Sequence, residues 1–225
     1  MAPGIASIVL AAGESRRMGR PKALLPWSGG TVLDAILHAV EEAGLPPPVV
    51  VTGAHHRELS ENLRNSSARI RENPDWASGM GSSIRCGLEA ALETRPDLEG
   101  LLVLLADQPL VSKTYLLRLL SNFQSNEPGI VATRYPEGGG VPAIFRRSFF
   151  EALRSPGRSG GASSLIRSAA SETLLLEPGL AGRDMDTPEK YRELRKIAGL
   201  PEIPGAGKGA DAPGAAGKPG DSRIK

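Results

Sequence analysis

The sequence predicts an α/β fold, a single domain built on one mostly parallel sheet with helices on both faces. Apolar, β-rich runs alternate with stretches of helical periodicity along the chain. The run Leu101-Leu102-Val103-Leu104-Leu105 is apolar without alternation, as a strand covered on both faces must be. A chain of 225 residues with 40% apolar and 23% charged side chains also has enough material to bury one sizeable core.

Taken in order, Ile5–Ala11 is the first expected strand. Thr31 then precedes Val32, Leu33, Ile36, Leu37 and Val40, apolar positions at helical spacing, and Gly44 follows them; a helix with a threonine cap and a glycine stop is expected. Val49–Thr52 is the next strand, and Ile84, Leu88 and Leu92 mark the next helix. Leu101–Ala106 is the central strand, followed by a helix that opens near Ser112 and carries Leu116, Leu119, Leu120 and Phe123. Ile130–Thr133 and Leu174–Leu176 are further strands, with Val141–Phe145 as an additional one. Thr187 and Pro188 are a good cap and first residue for a last helix.

The expected domain covers residues 1–199. Residues 200–225 are rich in Gly, Ala, Pro and Lys with almost no bulky apolar side chain, a composition expected to stay disordered because it cannot offset its ordering entropy. Within them, Gly205-Ala206-Gly207-Lys208 lacks the first glycine and the final hydroxyl of a phosphate loop, and no strand precedes it.

A net charge of +2 without a basic cluster argues against a nucleic-acid partner. The single cysteine, Cys86, can neither close an internal disulfide nor build a thiolate metal cage, and its place between Ile84 and Leu88 reads as a core filler. No signal-peptide pattern opens the chain, and no apolar run approaches the roughly 20 residues that span a bilayer, so a cytoplasmic protein without a membrane partner is expected. His55 and His56 are adjacent instead of sharing a helical face as a zinc pair would, and no Gly-x-Ser-x-Gly elbow marks a hydrolase.

Four elements carry chemistry. The string Leu10-Ala11-Ala12-Gly13-Glu14-Ser15-Arg16-Arg17-Met18-Gly19-Arg20-Pro21-Lys22 follows the first strand directly. Small residues there let backbone N–H groups approach a phosphate chain, and Arg17 and Lys22 can neutralise it. The string is neither a Walker A loop nor a dinucleotide fingerprint.

Ala106-Asp107-Gln108-Pro109 places a carboxylate beyond the end of the most apolar strand, where it can hold Mg²⁺ against phosphate oxygens or simply cap the next helix. In Asp184-Met185-Asp186, carboxylates at alternate positions of an extended segment share one side, which suits a second metal ligand. Asn73-Pro74-Asp75-Trp76-Ala77-Ser78-Gly79-Met80-Gly81-Ser82-Ser83 runs into a helix; on their own, its serines are better explained by capping than by ligand contact.

Together these elements resemble the MobA-like nucleotidyltransferases, most tightly the branch of molybdenum cofactor cytidylyltransferases, over roughly Ile5 to Leu194. The opening Leu-Ala-Ala-Gly-x-Ser-x-Arg-Met-Gly-x-x-Lys-x-Leu-Leu pattern carries most of the specificity, and Gly140-x-Pro142 adds a further match. The resemblance implies a Rossmann-like nucleotidyltransferase fold and a nucleotide site of Leu10, Ala11, Ala12, Gly13, Arg17, Lys22, Gly79 and Ser83. It makes Asp107 the principal Mg²⁺ ligand, Asp186 the second and Asp184 the less certain candidate. Arg17, Lys22 and Asp107 become the catalytic set, and Gly140 and Pro142 shape the acceptor side.

The implied reaction transfers CMP from CTP to the phosphate of a molybdopterin-type acceptor. GTP or another NTP, a sugar or isoprenoid phosphate acceptor, and a non-catalytic accessory role are the alternatives. A client molybdoenzyme or its chaperone is an implied partner. Gly157-Arg158-Ser159-Gly160-Gly161-Ala162-Ser163 departs from the family's Gly-Asp-x-Gly-Ala-Arg, which bears on the acceptor more than on the nucleotide.

Overall fold

The computed structural model describes residues 4–125, 128–155 and 161–202. Most of the segment that departs from the family pattern, and nearly all of the Gly/Ala/Pro/Lys-rich tail, lie outside the described residues.

The chain opens with β1 (Ile5–Ala11), a small hairpin of β2 (Pro26–Trp27) and β3 (Gly30–Thr31), and helix α1 (Val32–Glu42). It continues through β4 (Val49–Thr52), α2 (His56–Asn62), β5 (Arg69–Glu72), α3 (Met80–Thr94) and β6 (Gly100–Leu105). After α4 (Lys113–Ser125) come β7 (Ile130–Tyr135), β8 (Gly138–Arg146), the short helices α5 (Phe150–Arg154) and α6 (Ala162–Ser168), β9 (Thr173–Leu176) and α7 (Pro188–Ile197). β1 and β4 coincide with the expected strands, and Val141–Phe145 is a full member of the sheet.

Seven strands form one sheet in the order β5-β4-β1-β6-β8-β7-β9. Only β8 runs against its neighbours β6 and β7; the other pairings are parallel. Side-chain parity on the strands divides the core in two. Ile5 and Val9 of β1 with Leu102 and Leu104 of β6 face α1, α4 and α7, while Ile8 and Leu10 with Leu101 and Val103 face α3, α5 and α6. Both faces of the central strands are therefore covered, which is why their sequences are apolar throughout. No helix among the described residues is long and apolar enough to cross a membrane.

Local chemistry fixes the helices. Thr31 and Asp34 form a reciprocal capping box at α1, with Oγ1 of Thr31 accepting from the Asp34 N–H at 3.1 Å and the Asp34 carboxylate accepting from the Thr31 N–H at 2.8 Å. Such a cap contributes about 1 kcal/mol. Thr187 caps α7 as expected, accepting from the Lys190 N–H at 3.3 Å. Helix α3 lies close to the sheet because Gly87 has no Cβ; one there would stand 2.9 Å from side-chain carbons of both Ile8 and Val51.

Leu200 packs on the core, and the carbonyl of Pro201 accepts from Nη2 of Arg195 at 2.6 Å. The buried Arg195 thus takes one of its acceptors from the chain beyond α7.

Candidate functional site

Strand order reverses at β1: its successors β4 and β5 lie to one side of it and β6 to the other. A crevice opens where the loops after β1 and β6 part, the usual place for a ligand in an open α/β sheet. There a cavity of about 540 Å³ is lined by the string after β1, by residues 76–83 before and within α3, and by Asp107 and Asp186.

The loop after β1 leaves the sheet through Ala11 and Ala12, and Ser15 takes a left-handed conformation with φ 53°. Oγ of Ser15 then accepts from the Lys22 N–H at 3.1 Å, pinning the far end of the loop. Its crest is latched by His55, whose Nε2 lies 3.0 Å from the carbonyl of Glu14 and whose Nδ1 lies 3.0 Å from the Glu58 carboxylate. Gly53, just past β4, permits the closest approach. A Cβ there would stand 2.6 Å from Cβ of Trp76 and 2.7 Å from the carbonyl oxygen of Ala12.

Charge converges on the β6 side. Nζ of Lys22 lies 3.1 Å from Oδ2 of Asp107 and 2.5 Å from Oδ1 of Asp186. Burial pushes the Asp107 carboxyl above the usual carboxylate range even though Lys22 pulls against it. The hydrogen bond from Lys22 holds Asp186 below that range. Lys22 itself is raised: burial works to lower it, but Asp107 and Asp186 together outweigh burial.

Asp107 does not cap α4. That role falls to Ser112, whose Oγ accepts from the Tyr115 N–H at 3.3 Å. Asp186 reaches Asp107 because the Met185 side chain is fully buried and its N–H donates to the Asp107 carbonyl at 3.2 Å. Asp184 turns to Lys190, 2.7 Å away, and makes no direct contact with the Lys22 cluster.

For a divalent cation this donor set fits. Two carboxylates converge on one cationic position, held by the Lys22 ammonium, and Oδ1 of Asp107 is buried with no hydrogen-bond partner. Among the described residues no three His, Cys, Asp or Glu side chains form a ligand cluster. The remaining coordination would fall to water and phosphate oxygens, the usual arrangement for Mg²⁺.

Leu10, Ala11, Ala12, Gly13, Arg17, Lys22, Gly79, Ser83, Asp107 and Asp186 all line the cavity. Leu10 does so although its side chain belongs to the core. Ser83 and Ser82 do not cap α3, contrary to the simplest reading of the sequence; their Oγ atoms accept from the Asn73 amide at 3.0 and 2.9 Å.

Gly140 and Pro142 do not line the cavity. Gly140 backs the ring of Tyr135, and the Pro142 carbonyl accepts from Oγ1 of Thr133 at 2.6 Å. Val141, between them, is tied to the turn beside Asp107. Nε2 of Gln108 donates to the Tyr135 hydroxyl at 2.9 Å, and that hydroxyl donates to the Val141 carbonyl at 2.6 Å. Cys86 is half-buried, with Sγ 3.6 Å from the Glu72 carbonyl, so it fills the core only in part.

Trp76, Leu59 and Met80 also line the cavity. Trp76 and Met80 lie in the string quoted before α3 but were given no role from sequence, and Leu59 was missed.

Residues 7–173 match the family model of the MobA-like NTP transferase domain. Nicotine blue oxidoreductase of Paenarthrobacter nicotinovorans is 32% identical over 204 residues, which cover 85% of this chain and 97% of that protein. The molybdenum cofactor cytidylyltransferase of Escherichia coli K12 is 40% identical over 85 residues, 37% of this chain and 43% of that protein. The crystal structure of the Mycobacterium tuberculosis protein Rv0371c in complex with manganese matches with a TM-score of 0.66 at 27% identity, covering 86% of this chain and 98% of that one.

Proposed function

The chain belongs to the family of MobA-like NTP transferase domains, and from that premise we propose that it is a cytoplasmic, Mg²⁺-dependent nucleotidyltransferase that moves CMP from CTP to the terminal phosphate of a molybdopterin-type acceptor. The observation that carries this reading is Lys22 between Asp107 and Asp186 on the wall of a cavity of about 540 Å³. An ammonium and two carboxylates at the mouth of a parallel sheet are the parts needed to hold a triphosphate and its cation, and no histidine is needed for the chemistry.

In the proposed reaction a phosphate oxygen of the acceptor attacks the α-phosphorus of CTP, a new phosphoanhydride bond forms, and the bond to the β-phosphate breaks to release pyrophosphate. The attacking oxygen is already ionised, so alignment and charge carry the catalytic load. Asp107 and Asp186 would hold Mg²⁺, which when bound neutralises phosphate charge and polarises the reacting phosphoryl group. Arg17 makes no hydrogen bond or ion pair among the described residues and is exposed on the cavity wall, where it can meet the β- and γ-phosphates. Lys22 stabilises charge on the departing pyrophosphate. The backbone of Ala11, Ala12 and Gly13 faces base and sugar, with Gly79 and Ser83 opposite. Gly140 and Pro142 act on the acceptor side through Tyr135 and Gln108. Delivery of the product to a client molybdoenzyme or its chaperone completes the reading.

The test is pyrophosphate release with each of the four NTPs and Mg²⁺, with and without molybdopterin, a sugar phosphate or an isoprenoid phosphate as acceptor. Release with CTP that depends on molybdopterin is expected. Binding of nucleotide without release under any combination would overturn the enzyme in favour of an accessory role.

One observation favours a second reading. One relative aligned over nearly its whole length is named an oxidoreductase. On that reading the cavity holds a redox substrate, and turnover of such a substrate without pyrophosphate release would be its signature.

A further inference from the structure

Two carboxylates that converge in a half-buried crevice must be neutralised by something before nucleotide arrives, and in this structure a side chain of the same chain does it. The Lys22 ammonium is 2.5 Å from Asp186 and 3.1 Å from Asp107. The exposures of the Lys22, Asp107 and Asp186 side chains are only 18%, 23% and 35%, so solvent screens the contact incompletely. We propose that Lys22 is a built-in plug of the cation site. In the nucleotide-free protein its ammonium occupies the position between Asp107 and Asp186, and a divalent cation enters fully only when Lys22 swings out, a displacement that saturating cation forces and a phosphate partner favours. The inference rests on the proposed reading of this crevice as the nucleotide and cation site.

Three features carry it. The first is charge: two carboxylates and one ammonium leave a single negative charge, so a divalent ion added to the plugged site must expel Lys22 or meet its repulsion. The second is mobility confined to the side chain. The Lys22 N–H is held by Ser15 at 3.1 Å, and its carbonyl accepts from the Leu25 N–H at 3.1 Å. The backbone stays in place while the four-carbon stem is free to swing. The third is incomplete satisfaction: Oδ1 of Asp107 is buried without a partner while the plug is in, so the site holds an acceptor that the ammonium does not use.

Arg17, another cation of the cavity wall, acts on Asp186 only at a distance and stays available for the incoming triphosphate. A polyphosphate then gives Lys22 a new anionic partner and supplies the cation with oxygen ligands, so the two ligands bind with positive coupling. Linkage makes that coupling reciprocal.

The test uses Mn²⁺ alone on the full chain, read by the electron paramagnetic resonance of free Mn²⁺. Lys22→Met should bind Mn²⁺ tighter than the wild type by on the order of tenfold, whereas Lys22→Arg, which keeps a cation in place, should bind it no tighter than the wild type. Equal or weaker binding by a folded Lys22→Met would overturn the plug.

A second readout needs no variant. Amine acylation of Lys22 in the wild type, followed by peptide mass spectrometry, should speed up several-fold when saturating Mn²⁺ is added and slow down when inorganic tripolyphosphate is added. A labelling rate indifferent to Mn²⁺ would overturn the proposal equally. Pyrophosphate release is a separate measurement. An enzyme that transfers CMP but whose Lys22 ignores Mn²⁺ loses only the plug; a plugged site on a protein that transfers nothing loses only the proposed reaction.

Discussion

One oxygen of Asp107 is bound by Lys22 at 3.1 Å, while the other is buried with no partner at all. Burial raises the Asp107 pKa against the pull of its own counter-ion, so the carboxylate is held there at some expense to stability.

Asp107→Asn should therefore nearly abolish turnover with CTP and leave the fold intact. Asparagine resembles the protonated acid that burial favours, so melting temperature near neutral pH should be unchanged or higher. Near wild-type turnover at saturating Mg²⁺, measured by pyrophosphate release, would remove Asp107 from the reaction.

Ala12 lines the cavity beside Gly53 and Trp76, and its methyl group would narrow the room for a purine. The wild type should prefer CTP to GTP. Ala12→Gly should raise GTP use relative to CTP without a complete switch, since steric discrimination of this size amounts to about 1–3 kcal/mol. Competition between the two nucleotides for one acceptor measures the ratio, and a wild-type preference for GTP or ATP would overturn the cytidylyl assignment.

His55 places both ring nitrogens against acceptors, the Glu14 carbonyl and the Glu58 carboxylate, which requires the imidazolium form. Burial alone would lower its pKa, but the bond to Glu14 and the pair with Glu58 raise it above its usual value near 6.5. A raised histidine stabilises fully below that usual value, and the contribution fades as pH rises through the folded pKa. Urea unfolding should show wild-type stability falling by about 1 kcal/mol or less as pH passes from 6 to 8. His55→Gln should be flatter over that window, and identical pH profiles would count against the latch.

Removing residues 203–225 should leave melting temperature and turnover almost unchanged. Cutting after Gly199 instead should lower the melting temperature, because Leu200 and the acceptor for Arg195 are lost. Equal stability of the two truncations would show that Leu200 and Pro201 contribute nothing.

Strands apolar on both faces were legible because burial on two sides leaves no choice of residue: Ile5–Ala11 and Val49–Thr52 match to the residue. The edge strand Arg69–Glu72 was not legible. It reads Arg-Ile-Arg-Glu, and it exists through pairing with β4 and through the ion pairs of Arg69 and Arg71 with Glu93. Helix α2 buries only Leu59 and left too faint a periodicity. Val141–Phe145 was legible as a strand, but its reversed direction depends on where β6 and β7 leave room.

At the site, local pattern offered Lys22, Asp107 and Asp186 only as separate candidates, and the family resemblance grouped them. Their contact spans 85 and 164 residues of chain, which local pattern does not encode. Ser82 and Ser83 read as caps for the same reason: their partner, Asn73, is reached only when the loop folds back.

The hydrogen bonds that run from Gln108 through the Tyr135 hydroxyl to the Val141 carbonyl make the crevice unequal in stiffness. On the β6 side, the turn that carries Asp107 is moored to the middle of the sheet by these bonds and by the Met185 N–H. On the other side, the exposed crest at Gly13 and Glu14 is tied to the rest of the fold by His55 at the Glu14 carbonyl and within its own loop by the Arg16–Glu14 ion pair. Such a crevice works as a fixed jaw and a compliant one. Whatever enters or leaves should displace the crest while the acidic wall stands still.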